Sequence, residues 1–239
     1  NYVLYIKSYK DKKELLTIIS RANELLEEPF VINNITEHLR FKIGVMEYNS
    51  TEKSIDELLK DATIALNNVD SCDAINYKFF DEKMEQKIQR EEIIEKEIRT
   101  AIMAGDTSTI YLVYQPIVEL NTQRIVGFEA LARMNSKEFG FVSPLEFIDI
   151  AERNQLIVPL SNYILRHACA YAAELVAMGY AHLRVAVNIS AIHIMREDFT
   201  RDVLQIVKEA GIQGRNLELE VTESVLANNY NLINEKLRE

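Results

Sequence analysis

Only two cysteines occur in the 239 residues, Cys72 and Cys169. Neither has a second cysteine or a histidine at zinc-binding spacing. Both read as small buried hydrophobes, which argues against a disulfide and for a reducing, cytoplasmic setting. Positive charge is also scarce: 27 Lys and Arg stand against 37 Asp and Glu, a net charge of −10. The deficit is even, with 15 basic and 20 acidic residues in 1–104 and 12 and 17 in 105–239. With no basic face, polymeric DNA or RNA is not an expected partner. A small anion held through metal ions stays open. No apolar run reaches transmembrane length and no signal peptide is expected, so any membrane tether is placed upstream. No GxGxxG follows a strand-like segment, which leaves a dinucleotide site unsupported. His38, His167, His182 and His193 lack mutual spacing. Ser190 lacks a base, so a Ser-His-Asp arrangement has no support either.

What is present suits a soluble globular protein of one large domain or two small ones, with 48% hydrophobic and 27% charged residues. Residues 1–7 alternate like a strand, and Leu15, Leu16, Ile18, Ile19, Ala22, Leu25 and Leu26 recur at helical spacing before Pro29. "FVINN" and "HLRFKIGVMEY" predict a hairpin. Ser54, with Glu57 three residues on, opens a second helix with a capping box, and "AINYKFF" is a further short strand. The order β-α-β-β-α-β is α+β and ferredoxin-like. Residues 81–105 are charged and helical, with a narrow stripe of Ile88, Ile94, Ile98, Ala101 and Ile102. That pattern predicts a solvated linker helix ending at Gly105, one that can also transmit motion between two domains. Beyond it, strands at "IYLVYQPIVEL", "RIVGFEALARM", "LRVAVNIS" and "NLELEVTE" alternate with helices at "SPLEFIDIAERN", "VPLSNYILRHACAYAAELVAMG" and "HIMREDFTRDVLQIVKEAG". This is an α/β pattern with a mostly parallel sheet, open or closed into a barrel.

The stretch "FEALAR" places Glu129 and Arg133 on a strand that otherwise reads as buried. Alternation puts Ile125, Gly127, Glu129, Leu131 and Arg133 on one face and Val126, Phe128, Ala130 and Ala132 on the other. Four residues along a straight strand separate the two charges by about 13 Å, so each needs its own partner. Asn188 in "VAVNIS" and Glu220 and Glu223 in "LELEVTE" sit near the carboxyl ends of two more strands, where α/β proteins build sites. Oxygen donors without Cys or His suit a hard cation, Mg²⁺ or Mn²⁺. Singly, each residue has an ordinary structural explanation: a satisfied strand carboxylate, a turn asparagine, a helix cap.

The strings "YQPIVELNTQRIVGFEALAR", "SPLEFIDIAERNQLI", "VAVNIS" and "LELEVTES", in this order, resemble the EAL domain family. The resemblance implies a (β/α)₈-type barrel and a two-metal phosphodiesterase that opens cyclic di-GMP to pGpG. Residue by residue, it makes Glu129, Asn188 and Glu220 metal ligands and Glu129 and Glu223 catalytic. It gives Arg133 a substrate phosphate oxygen, and Gln115 and Leu131 substrate-lining positions. The family's Asp-Asp motif and its lysine near the water belong to a second half not in residues 1–239. The expectation is therefore half a barrel, inactive alone, in a larger and active parent, with a homodimer through EAL domains as a further expectation.

Residues 1–80 resemble the end of a GGDEF domain: "FKIGVMEY" is similar to that family's "SIGVA" strand and "IDELLKDATIALNNVD" to its "LLxxADxALYxAK" helix. Thr63 stands for the expected Asp, Asp70 for the phosphate-facing Lys, and Asn1 for a metal-binding Glu. An Asp in place of Lys reverses the local electrostatics, so this part is expected to be degenerate and regulatory. The predicted organisation is 1–80 partial GGDEF, 81–105 linker and 106–239 the EAL part. Runner-up readings are a non-catalytic cyclic di-GMP receptor and a purely structural signalling module.

Overall fold

The computed structural model describes residues 2–27, 29–32, 35–37, 41–48, 53–69 and 76–221. Asn1, Asp70, Cys72 and Glu223, each singled out above, lie outside the described residues. The chain divides into two compact units, 1–89 and 90–239.

In the first unit, α1 (Lys12–Glu27) buries Leu15 and Ile19. The strand predicted over 1–7 is not one: residues 2–6 carry no regular structure, and Tyr2, Val3, Leu4 and Tyr5 are exposed. A lone strand has no ladder to stabilise it. The predicted hairpin is also paired differently. β1 (Phe30–Ile32) pairs antiparallel with β2 (Ile35–Glu37), whereas β3 (Ile43–Val45) pairs in parallel with β4 (Tyr77–Phe79). A parallel pair needs a long crossover, supplied by α2 (Ile55–Asn67). Gly44 makes the packing of α2 on β3 feasible: a Cβ there would lie 2.0 Å from the Ala62 carbonyl oxygen. The Ser54 capping box forms as predicted, with Glu57 N–H donating to Ser54 Oγ (3.3 Å) and Ser54 N–H to Glu57 Oε2 (2.6 Å).

Helix α3 (Glu82–Ala104) starts in the first unit and continues into the second, where its apolar stripe is not solvated. Ile94 and Ile98 are fully buried and Ala101 is 1% exposed, all in the core of the second unit. Fully burying such an aliphatic side chain stabilises by about 1.5–3 kcal/mol. Arg90 clamps Glu146 of α4 (Pro144–Arg153) through two hydrogen bonds of 2.6 and 3.1 Å, tying α3 to that helix.

The second unit is built on a sheet of order β5 (Ile110–Val118), β6 (Ile125–Ser136), β8 (Arg184–Asn188), β9 (Leu217–Glu220), with β7 (Gly140–Val142) added to β6. β5 and β6 are antiparallel, paired from Ile110/Met134 to Val118/Ile125 with an irregularity at Ile117/Val118. Their turn is fastened by Glu119, which pairs with Arg124 and Gln123 through the backbone and accepts from Thr122 Oγ1 at 2.6 Å. β6–β8 and β8–β9 are parallel. The α/β expectation holds, but the sheet is mixed rather than mostly parallel: the β5–β6 and β6–β7 pairs are antiparallel, and the short strand β7 was not expected.

Helices α4 (Pro144–Arg153) and α5 (Ile157–Ala177) bury Phe147, Ile150, Leu160, Leu165, Ala168 and Cys169 against one sheet face. Cys169 is a free, buried thiol. The last predicted helix is two: α6 (Ala191–Ile194) and α7 (Phe199–Ala210). The break falls where Arg196 folds its guanidinium onto Asp198 at 2.8 and 2.9 Å. A 3₁₀ turn (Gly214–Asn216) leads into β9. Buried Asn216 donates to the Ala181 and Leu183 carbonyls at 3.0 and 2.9 Å, fixing the entry to β9 against the entry to β8.

Candidate functional site

The two faces of β6 divide as alternation predicts. Ala130 and Met134 are buried beneath the helices, with Phe128 and Ala132 packed beside them. Glu129, Leu131 and Arg133 point to the opposite face and stay half-buried. The same parity holds on the neighbours: Val185, Val187 and Ile189 of the β8 segment enter the core, as do Leu217 and Leu219 at its edge. Ala186 and Asn188, and Glu218 and Glu220, therefore share the face of Glu129.

The register sets these side chains in rows. Gln115 pairs with Glu129, Glu129 with Ala186, and Ala186 with Glu218. One step toward the carboxyl ends of the parallel strands, Asn188 pairs with Glu220, and Val113 with Leu131. One step the other way, Gly127 pairs with Arg184. β6 reaches beyond its ladder with β8, which ends at Ala130/Val187, and pairs with β7 from Met134 onward. Arg133 therefore stands past the end of β8, opposite Tyr111 of β5.

Two of the predicted ligands touch. Asn188 Nδ2 donates to Glu129 Oε1 at 2.8 Å. Glu220 joins them through its register with Asn188, and its carboxyl is pushed above the usual carboxylate value. Partial burial is the main cause, followed by the neighbouring carboxylates Glu129 and Glu218. A cation would relieve that repulsion, and two carboxylates with a carboxamide form an all-oxygen set suited to Mg²⁺ or Mn²⁺. The residues fit such an ion in part: among the described residues no group of three His, Cys, Asp or Glu side chains converges as a metal cluster. Arg133 does not reach Glu129, in keeping with their spacing; its Nη1 donates to the Ala132 carbonyl at 2.8 Å. Gln115 and Leu131 lie on the same face. Ser190 accepts from the His193 N–H at 3.2 Å as a cap of α6, a structural role.

Sequence reasoning missed Glu218 and Arg184. Both belong to the site face, and they form an ion pair. The signal was there: Glu218 is two residues from Glu220 and Arg184 is two from Ala186, so parity alone places them together.

A family model described as the EAL domain matches residues 95–239. The cyclic di-GMP phosphodiesterase NbdA of Pseudomonas aeruginosa is 32% identical over 222 residues, covering 92% of this chain and 28% of that protein. The cyclic di-GMP phosphodiesterase PA2567 of the same organism is 30% identical over 217 residues, covering 91% and 36%. Among solved structures, the PaMucR phosphodiesterase in complex with c-di-GMP is similar at a TM-score of 0.57 and 27% identity, over 61% of this chain and 57% of that one. The chain spans about a quarter to a third of the length of the curated relatives it matches. A family match over more than half of the chain, on a mixed α/β sheet with this site face, means that the chain belongs to the EAL domain family.

Proposed function

We propose that the protein is a cyclic di-GMP phosphodiesterase that hydrolyses its substrate to linear pGpG. The observation that carries this reading is the Asn188–Glu129 hydrogen bond with Glu220 in register beside it: three oxygen-bearing side chains on one face of adjacent strands, two of them at the carboxyl ends of β8 and β9. Glu129, Asn188 and Glu220 would hold Mg²⁺ or Mn²⁺, which supplies Lewis-acid polarisation of a phosphoryl oxygen and acidifies a bound water. Glu129 and Glu220 contribute the negative charge that retains the cation, and Asn188 orients Glu129 through its amide hydrogen bond. Arg133, standing beyond the end of β8, offers a guanidinium to a substrate phosphate oxygen, a charge-assisted contact that also orients it. Leu131, between Glu129 and Arg133 on β6, and Gln115, opposite Glu129 on β5, line the substrate. Glu223 completes the catalytic set in this reading.

The same proposal takes residues 1–80 as a degenerate, non-cyclising GGDEF part, 81–105 as the connecting helix and 106–239 as the amino-terminal half of the (β/α)₈-type EAL domain. It places the protein in the cytoplasm, with EAL domains forming a homodimer. The test is incubation of the full-length protein with cyclic di-GMP and Mg²⁺ or Mn²⁺, following pGpG by chromatography. Steady conversion is expected; tight binding without turnover would overturn the enzymatic reading in favour of a receptor.

A further inference from the structure

Among the described residues three carboxylates occupy the site face, Glu129, Glu218 and Glu220, but only two of them have been assigned to a cation. Glu218 and Glu220 sit two residues apart on β9 and so point the same way. Glu218 is in register with Ala186, which is itself in register with Glu129, and alanine leaves the space between the two carboxylates clear of a long side chain. Nothing in the backbone keeps Glu218 from joining Glu129 around an ion. A cation lodged there would sit one row too deep, away from Asn188.

Arg184 prevents this. Its Nε meets Glu218 Oε2, and that oxygen, though buried, takes no hydrogen bond among the described residues. The guanidinium reaches it because Gly127, the register partner of Arg184, has no side chain: a Cβ at 127 would lie 2.6 Å from the Arg184 carbonyl oxygen and 2.8 Å from its Cγ. Gly127, Arg184 and Glu218 thus form one device, a cation already in place one row below the ligands. Paired with Arg184, Glu218 is held away from an ion even though Glu220 still feels its charge, and Glu129 and Glu220 are the two carboxylates left to face a divalent ion.

We infer that Arg184 is a positioning residue that keeps Glu218 out of the metal site and confines a divalent cation to Glu129, Asn188 and Glu220. The inference rests on the metal-site reading above and extends it to residues that touch neither ion nor substrate.

A double-mutant cycle on Mn²⁺ binding, read by electron paramagnetic resonance and calorimetry of the full-length protein without cyclic di-GMP, tests it. Arg184→Met frees Glu218 and is expected to tighten Mn²⁺ by about tenfold, or to add a second bound ion. Glu218→Gln alone is expected to change Mn²⁺ affinity by less than about twofold, because the carboxylate is already occupied, and the double variant to return to wild-type binding. The signature is non-additivity. An additive cycle, in which each charge acts at a distance whatever the other does, overturns the inference while leaving the metal site standing. So does a lowered melting temperature in Arg184→Met with unchanged Mn²⁺ binding, which would make the pair purely structural. Failure of the wild-type protein to bind Mn²⁺ overturns the metal-site reading itself, and the inference with it.

Discussion

Asn188 on β8 and Glu129 on β6 are joined across adjacent parallel strands by a 2.8 Å hydrogen bond from Nδ2 to Oε1. That bond leaves the Asn188 carbonyl oxygen and the second Glu129 oxygen for other partners. The substitution Glu129→Gln keeps an acceptor at Oε1 and removes the charge. Folding should survive it, with a melting temperature close to wild type. Mn²⁺ binding by calorimetry should weaken by on the order of 10²-fold or more, since losses outside the ligand shell alone cost 10–100-fold. Unchanged binding would remove Glu129 from the ligand set.

Ile98 is fully buried in the second unit although it lies on a highly charged helix. Ile98→Ala is expected to destabilise by about 2–5 kcal/mol in denaturant unfolding, the range for emptying a closed core position. Arg99→Ala, next to it but removing only an exposed pair with Glu95 (2.9 Å), should stay within about 0.5 kcal/mol. Equal, small effects would mean that the helix is a solvated connector after all.

His193 is 1% exposed, lies edge-on to Phe199 at 5.0 Å, and neither ring nitrogen has a hydrogen-bond partner among the described residues. Burial lowers its pKa from the ordinary 6.5; Asp202 and Asp198 oppose the shift and Arg196 adds to it. The folded state then binds fewer protons than the unfolded one. Stability from this group is complete above pH 6.5 and is lost as the pH falls from there through the lowered folded value. Thermal melts from pH 7.5 to 5 should show this decline, and His193→Phe should flatten it. A parallel decline in both proteins would assign the acid sensitivity elsewhere.

Gly127→Ala tests the close approach beneath the site. Its Cβ would press on the Arg184 backbone, so a loss of about 1–3 kcal/mol is expected in chemical unfolding. A neutral result would show that β6 and β8 can move apart at no expense.

Much of this architecture was legible in the sequence because period-2 alternation fixes which residues share a face. Glu129 opposite Ala130, and Asn188 opposite Val187, follow from parity alone. The proximity of Asn188 to Glu129 does not, since it depends on the register of β6 against β8, to which distant residues contribute. Asn216 is one, tying the entries of β8 and β9 through two carbonyls in a way no local pattern announces. The first unit was read less well. "NYVLYI" has strand composition but no partner among the described residues, and "FKIGVMEY" pairs with a strand on the far side of α2 rather than with its neighbour in sequence. Local propensity names a strand; it does not name its partner. The helix carrying Ile94 and Ile98 misled for the opposite reason, because a narrow apolar stripe among charges looks the same whether it meets water or a core.

The ladder between β5 and β6 runs the full length of β5, while the one between β6 and β8 spans only Gly127 to Ala130. The long ladder, not the short one, dictates where β6 sits, and it is closed by the Glu119–Arg124 turn. Shortening that turn by one residue would rotate β6 by half its repeat, sending Glu129 under the helices and Ala130 to the face of Asn188 and Glu220. A surface loop remote from Glu129 therefore holds the address of the proposed first ligand, and natural variation in its length should be confined to changes that preserve the strand's phase.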